Sequence, residues 1–270
     1  MLNEFLAPGV LPPDLRVYAI GDVHGCAERL AALHRLVAAD ARERPAAGQT
    51  VLVHLGDYVD RGPDSAGVLD LLLSPPPVPG AEVVNLIGNH EVMMLDASDP
   101  LAHPGAWEFW LDNGGEETLR SYGVEDGHPE PFALVPEAHM ALLRRCPLHW
   151  SAGDYLFVHA GIRPEVPLDR QDPFDLIWIR EPFLSFDGEL PMVVVHGHSP
   201  AAQPAVRQNR LGIDTGACFG GPLTCLVLED RYMVPPQRMS LDSSLAPEAS
   251  APVGAERPES RPRSTGEAVR

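Results

Sequence analysis

Five short segments of this chain set metal-ligand side chains beside glycine, each directly after an apolar run. Gly21-Asp22-Val23-His24-Gly25 follows "VYAI", and Gly56-Asp57, with Asp60-Arg61-Gly62 just beyond, follows "LVHL". Gly88-Asn89-His90-Glu91 follows "VVNLI", His159-Ala160-Gly161 follows "YLFV", and His196-Gly197-His198-Ser199 follows "VVV". Runs so rich in Val and Leu read as buried strands. In open α/β sheets the ligand crevice lies outside the carboxyl ends of the strands, and glycine there allows a sharp turn and a close approach. Any one segment alone reads as a hydrogen-bonded polar residue at a strand end. Five of them in one sheet region point to a site.

The side chains on offer are Asp, His, Asp, Asn, His and His, all oxygen or nitrogen donors with no thiolate among them. That set excludes a structural zinc finger and disfavours an all-oxygen calcium or magnesium cage. It suits manganese, iron or zinc, and six donors are too many for one catalytic metal with an open position. Two metals about 3.5–4 Å apart, sharing a carboxylate and a bridging hydroxide, fit the count. With only two anionic donors such a centre stays net positive and attracts phosphate.

That local charge matters because the body is acidic. The formal net charge is −18, every cation is Arg, and no Lys occurs. Such a surface disfavours non-specific binding to nucleic acid or to an anionic membrane, and neither is expected. The four cysteines, Cys26, Cys146, Cys218 and Cys225, form no CxxC pair. The N-terminal stretch lacks the basic start and apolar core of a signal peptide, and no run reaches the roughly 20 apolar residues of a membrane span. A cytoplasmic protein is expected, with its oligomeric state open.

The elements that must position these residues read as α/β at the start. Strands are expected at "RVYAI" from Arg16, "TVLVHL" from Thr50, "EVVNLI" from Glu82, "DYLFV" from Asp154, "MVVV" from Met192, "RLGI" from Arg210 and "LTCLVL" from Leu223. The first two flank a helical pattern with Leu30, Leu33 and Val37 on one stripe. A second helix follows in "PDSAGVLDLLLS", with Asp64 or Ser65 as N-cap. Residues 92–150 read as a mostly helical substrate-side region. The domain is expected to span 1–239, and 240–270, nearly free of large apolar residues, reads as a disordered tail.

GDVHG, GDYVDRG, GNHE, HAG and HGHS, in this order, resemble the metallophosphatases of the phosphoprotein phosphatase family, over roughly Val17 to Val227. "WLDNGGEETLRSYG", "LIWIRE" and "IDTGACFGG" resemble its compact bacterial branch of serine/threonine phosphatases and diadenosine tetraphosphatase-like enzymes. The resemblance implies the calcineurin-like metallophosphoesterase fold: two mixed β-sheets in a sandwich flanked by helices, with the site at the strand ends. It implies that Asp22 and His24 bind a first metal, that Asp57 bridges, and that Asn89, His159 and His198 bind a second. His90 would be the general acid, oriented by Asp60, while Arg61 and Arg180 hold the phosphate beside Asn89. Ile87 stands where many eukaryotic relatives have Arg, and Ser199 where Thr is usual.

The expected chemistry is direct in-line attack on phosphorus by a metal-bound hydroxide, with protonation of the departing oxygen by His90. The expected cofactors are two divalent ions, manganese first, with iron or zinc as alternatives. The expected substrate is a phosphoserine or phosphothreonine protein, the alternative a symmetrical dinucleoside polyphosphate such as diadenosine tetraphosphate. A metal-binding regulatory protein without turnover is a third, weaker reading, since every expected catalytic residue is present. Cys26, His54, Trp107, Phe109 and Trp110 read as packing residues and His196 as structural. Asp214 reads as lying behind the ligands, and Asn113-Gly114-Gly115 as a helix-ending turn bordering the pocket.

Overall fold

The computed structural model describes residues 5–125, 127–234 and 240–241. The first sheet begins with β1 (Phe5–Leu6) and β2 (Leu15–Ile20). Helix α1 (Ala27–Glu43) then leads to β3 (Gln49–His54), and α2 (Ser65–Leu73) to β4 (Glu82–Asn85). Helix α3 (Asn89–Ser98) opens the helical region, followed by α4 (Ala106–Trp110), a π-turn at Leu111–Gly115, α5 (Glu116–Ser121) and α6 (Glu137–Arg145). The second sheet follows with β5 (His149–Ala152) and β6 (Tyr155–Val158), α7 (Pro173–Trp178), β7 (Val193–His196), β8 (Ala205–Val206) and β9 (Arg210–Gly212). The chain then returns to the first sheet with β10 (Leu223–Glu229), β11 (Tyr232–Val234) and β12 (Ser240–Leu241).

One sheet has the order β1-β11-β10-β2-β3-β4, and the other β5-β6-β7-β9-β8. Strands β2, β3 and β4 are parallel, as are β6, β7 and β9; the remaining pairs are antiparallel, so both sheets are mixed. Alternation along each strand builds the layers. Val17, Ala19, Val51 and Val53 pack inward against Phe157, Val195, Leu211 and Ile213 of the other sheet. Tyr18, Ile20 and Leu52 face the opposite way, beneath Leu30, Leu33 and Val37 of α1 and Val68 and Leu69 of α2. On the far side Leu156, Val158 and Val194 pack against Leu176, Ile179 and Phe183. Fully burying each such aliphatic side chain contributes roughly 1.5–3 kcal/mol.

Local signals start the helices. The Asp64 carboxylate accepts the Gly67 N–H at 2.8 Å, so Asp64 rather than Ser65 caps α2. Helix α3 starts immediately after Gly88, whose N–H is taken by Glu91 at 2.8 Å.

The expected C-terminal boundary falls beside a short strand. Ser240–Leu241 pairs antiparallel with Leu223 and Thr224 of β10, so sheet structure continues past residue 239. The rest of the expected tail, 242–270, lies outside the described residues.

Candidate metal centre and active site

Parallel pairing of β2 with β3 sets Ile20 opposite His54, so the loops after the two strands leave side by side. Val23 and His24 both donate their N–H to the Asp57 carbonyl, at 3.0 and 2.8 Å. The contact is backbone to backbone: a Cβ on Gly62 would lie 1.9 Å from the His24 carbonyl oxygen. His24, Asp57, Asp60, Arg61 and His198 hold φ between 43° and 71°, five of the eight non-glycine residues in that region among those described. Such backbone persists only where surrounding contacts over-determine it, and it concentrates at functional sites.

Two buried groups of donors result. Atoms of His24, Asp57 and His90 lie within 4.8 Å of one another, and so do atoms of Asp57, His159 and His198; Asp57 belongs to both. His24 Nε2 is 3.4 Å from Asp57 Oδ2, and His159 Nε2 is 3.4 Å from Asp57 Oδ1. Asn89 Oδ1 joins the second group, 3.0 Å from His159 Nε2 and 2.9 Å from His198 Nδ1. The outer nitrogens of two imidazoles are fixed by carbonyls: His24 Nδ1 donates to Val59 O at 2.9 Å and His159 Nδ1 to Leu55 O at 2.8 Å. Each Nε2 is thereby turned inward, toward Asp57. Asp22 lies outside both groups at this spacing. Its Oδ2 accepts the His198 N–H at 2.9 Å, while its Oδ1, like His198 Nε2, is buried without a partner.

The electrostatics show what the pocket lacks. Burial pulls the pKa of His24 and of His198 down to about 3, leaving both neutral. Burial, and then the charge of Asp214, push the Asp22 carboxyl well above the usual range. For Asp57 burial acts upward, but the His159 and His90 imidazoles outweigh it and hold the carboxyl well below that range. His159 answers: burial lowers its pKa, yet the Asp57 carboxylate raises it to about 10. Buried carboxylates, neutral imidazoles and unpartnered donor atoms together call for positive charge, and the donor set fits divalent cations.

Beside the donors, His90 Nδ1 is 2.7 Å from Asp60 Oδ2. Asp60 also receives the Trp110 indole N–H and the Thr118 hydroxyl. Arg61 and Arg180 are exposed at the mouth. Arg61 reaches His24 Nε2 at 2.9 Å and sits 5.6 Å over the Phe219 ring, while the charge of Arg180 acts on His198. All ten expected site residues therefore converge on one end of the sandwich.

The sequence reading missed Glu91, Trp110 and Thr118 as site residues. Glu91 is fully buried, and its carboxylate accepts the backbone N–H of Asp57, Tyr58, Val59 and Gly88. The GNHE motif contains it, but nothing local says that it clamps a loop more than thirty residues earlier. Trp110 does pack, as expected, yet it also donates. Phe109 does not bury: it is 51% exposed, against Trp178. His54 is a buried core histidine bonded to His34 and Asn85, and Asp214 accepts the Gly216 N–H behind Asp22. His196 is buried against Phe183, away from the donor groups. An open cleft of about 990 Å³ lined by Trp107, Leu111 and Phe132 lies in the helical region and includes none of the donors.

Both the sequence and the fold have known relatives. The calcineurin-like phosphoesterase family matches residues 15–222. Serine/threonine-protein phosphatase 1 of Salmonella typhimurium is 33% identical over 214 residues, covering 77% of this chain and 89% of that protein. The symmetrical bis(5'-nucleosyl)-tetraphosphatase of Acidovorax sp. is 29% identical over 180 residues, 67% of this chain and 52% of that protein. A crystal structure titled a putative diadenosine tetraphosphatase superposes with a TM-score of 0.57 at 24% identity, covering 84% of this chain and 96% of that one, a likeness of fold. With a match running through both sheets and all five strand-end segments, the chain belongs to the calcineurin-like phosphoesterase family of metal-dependent hydrolases of phosphoric esters.

Proposed function

We propose that the chain is a dinuclear-metal phosphatase acting on phosphoserine and phosphothreonine in proteins. The observation that carries the chemistry is Asp57, shared by two buried donor groups with the His90–Asp60 pair and Arg61 at their edge. In this reading Asp22, His24 and Asp57 hold one ion, and Asp57, Asn89, His159 and His198 the other. The ions would be manganese, with iron or zinc as alternatives, and when bound they would activate water and neutralise phosphate charge. Arg61 and Arg180 bind the phosphate oxygens, for which a guanidinium fork suits better than a point charge. Asn89 orients the phosphate from the ligand side. His90 gives its Nε2 proton to the departing oxygen as the phosphorus–oxygen bond breaks, and Asp60 stabilises the imidazolium through Nδ1–H. The protein substrate is supported by the likeness to the Salmonella phosphatase along most of its length. Four free cysteines suit a reducing cytoplasm.

A second reading, symmetrical hydrolysis of dinucleoside polyphosphates, is favoured by one feature. Exposed Phe109 and Phe174 flank Trp178, whose ring is 6.0 Å from that of His198, and exposed Phe219 lies under Arg61. Flat aromatic surfaces on two flanks of a phosphate site suit stacked bases. One preparation assayed on a phosphopeptide panel and on diadenosine tetraphosphate separates the two. The first reading expects the higher kcat/KM on a phosphopeptide; the reverse order replaces it with the second.

A further inference from the structure

The Asp60 carboxylate is wholly buried and taken on every side. Besides His90 Nδ1 at 2.7 Å, the Trp110 Nε1–H is shared between its two oxygens at 3.0 Å each, and the Thr118 hydroxyl donates to Oδ1 at 2.7 Å. Thr118 Oγ1 also accepts the Asp60 backbone N–H at 2.8 Å. Both partners come from the helical region, Trp110 50 and Thr118 58 positions further along the chain.

The indole has no freedom to leave. Trp110 is fully buried, with Phe132 stacked on it at 5.4 Å and Trp107 meeting it edge-on at 5.7 Å. A Cβ on Gly115 would sit 2.5 Å from the indole, so a residue without one is needed there. Next to it Gly114, at φ 102°, accepts the Arg61 N–H at 3.1 Å through its carbonyl. The π-turn thus holds Arg61 through Gly114, while the helix residues on either side of it, Trp110 and Thr118, hold Asp60, and π-turns are frequent at functional sites. This gives the "WLDNGG" segment a task beyond ending a helix.

We propose that Trp110 and Thr118 are positioning residues for His90, acting through Asp60. The inference rests on the reading of His90 as the general acid. One N–H shared by two oxygens holds the carboxylate plane, and the hydroxyl occupies Oδ1, so Oδ2 is left for Nδ1. The imidazole is then oriented with Nε2 toward the leaving oxygen, as partners behind a working side chain commonly do.

Trp110→Phe keeps the ring packing and removes the N–H; Thr118→Val removes the hydroxyl at nearly constant shape. Each is expected to slow hydrolysis of an alkyl phosphate by about 10–100-fold, the range for losing such a partner. The loss should fall on kcat, with bound metal unchanged and nitrophenyl phosphate hydrolysis far less affected. Thr118→Ser, which restores the hydroxyl, returns the ratio of the two rates toward that of the parent protein. In zinc-loaded protein the downfield proton resonance of His90 Nδ1–H should shift or vanish in Trp110→Phe. Equal losses on both substrates, or an unmoved resonance, overturn the proposal. If His90→Asn itself shows no dependence on the leaving group, the acid reading has failed instead, and the resonance alone decides whether Trp110 positions the ring.

Discussion

Glu91 holds Asp57 by its backbone: Oε2 accepts the Asp57 N–H at 2.8 Å while Oε1 accepts that of Tyr58 at 2.7 Å. Asp57 sits at φ 52°, in the left-handed region that few non-glycine residues occupy, and the Glu91 carboxylate helps to hold it there. Glu91→Gln turns an amide NH2 toward N–H groups that need acceptors. The variant should lose about 1–3 kcal/mol of stability, the penalty for buried groups left unpaired. It should also bind metal more weakly, since the shared carboxylate is no longer held in place. Denaturant melts and metal titrations check both; unchanged melts would show that the loop holds itself.

Metal dependence follows from the shared carboxylate. Chelator-treated protein should lose hydrolysis of nitrophenyl phosphate and regain it with Mn²⁺. Asp57→Asn should reduce both metal occupancy and turnover, because it removes the one charge common to the two donor groups. Turnover that survives exhaustive chelation, with no metal found by elemental analysis, refutes the dinuclear reading.

His90 stands in one donor group and beside Asp60 at once, so its role needs a discriminating variant. His90→Asn should slow alkyl phosphate hydrolysis more than nitrophenyl phosphate hydrolysis, by an extra factor within the roughly 10²–10⁴ of general acid catalysis. Metal content should stay near that of the parent protein. A fall in metal content, with equal losses on both substrates, would make His90 a ligand.

Acid should destabilise the metal-free protein through imidazoles kept neutral. Burial holds His54 down at about 3 and His34 at about 4, both below the ordinary value. The unfolded chain protonates both below about pH 6.5 and the folded chain does not. Their contribution is therefore complete above that pH and lost as pH falls toward 3–4, about 2 kcal/mol for one such group by pH 5. His34→Gln should flatten this slope between pH 7 and pH 5; an identical slope would exclude the pair as its source.

All seven strands expected from apolar runs form, because a strand that packs on the core needs apolar side chains along its buried face. Strands β1, β5, β8, β11 and β12 were not legible. They are two to four residues long, and their pairing depends on a neighbour rather than on their own pattern. The site divides in the same way. Residues that meet a ligand stand beside glycine at strand ends, where type and spacing reveal them. Trp110 and Thr118 reach the site only through Asp60, 50 and 58 positions away, and a tryptophan placed to donate looks in sequence like one placed to pack.

The two donor groups differ in what they hang from. His24, Asp57 and His90 all follow strands of one sheet, whereas His159 and His198 follow strands of the other. An ion in the first group needs only one sheet to be built. An ion in the second would take donors from both sheets, adding a tie across the seam to the apolar core that already packs them together. Calorimetry should then show a smaller metal-induced rise in Tm in His198→Ala, which loses a donor of the second group, than in His24→Ala, which loses one of the first.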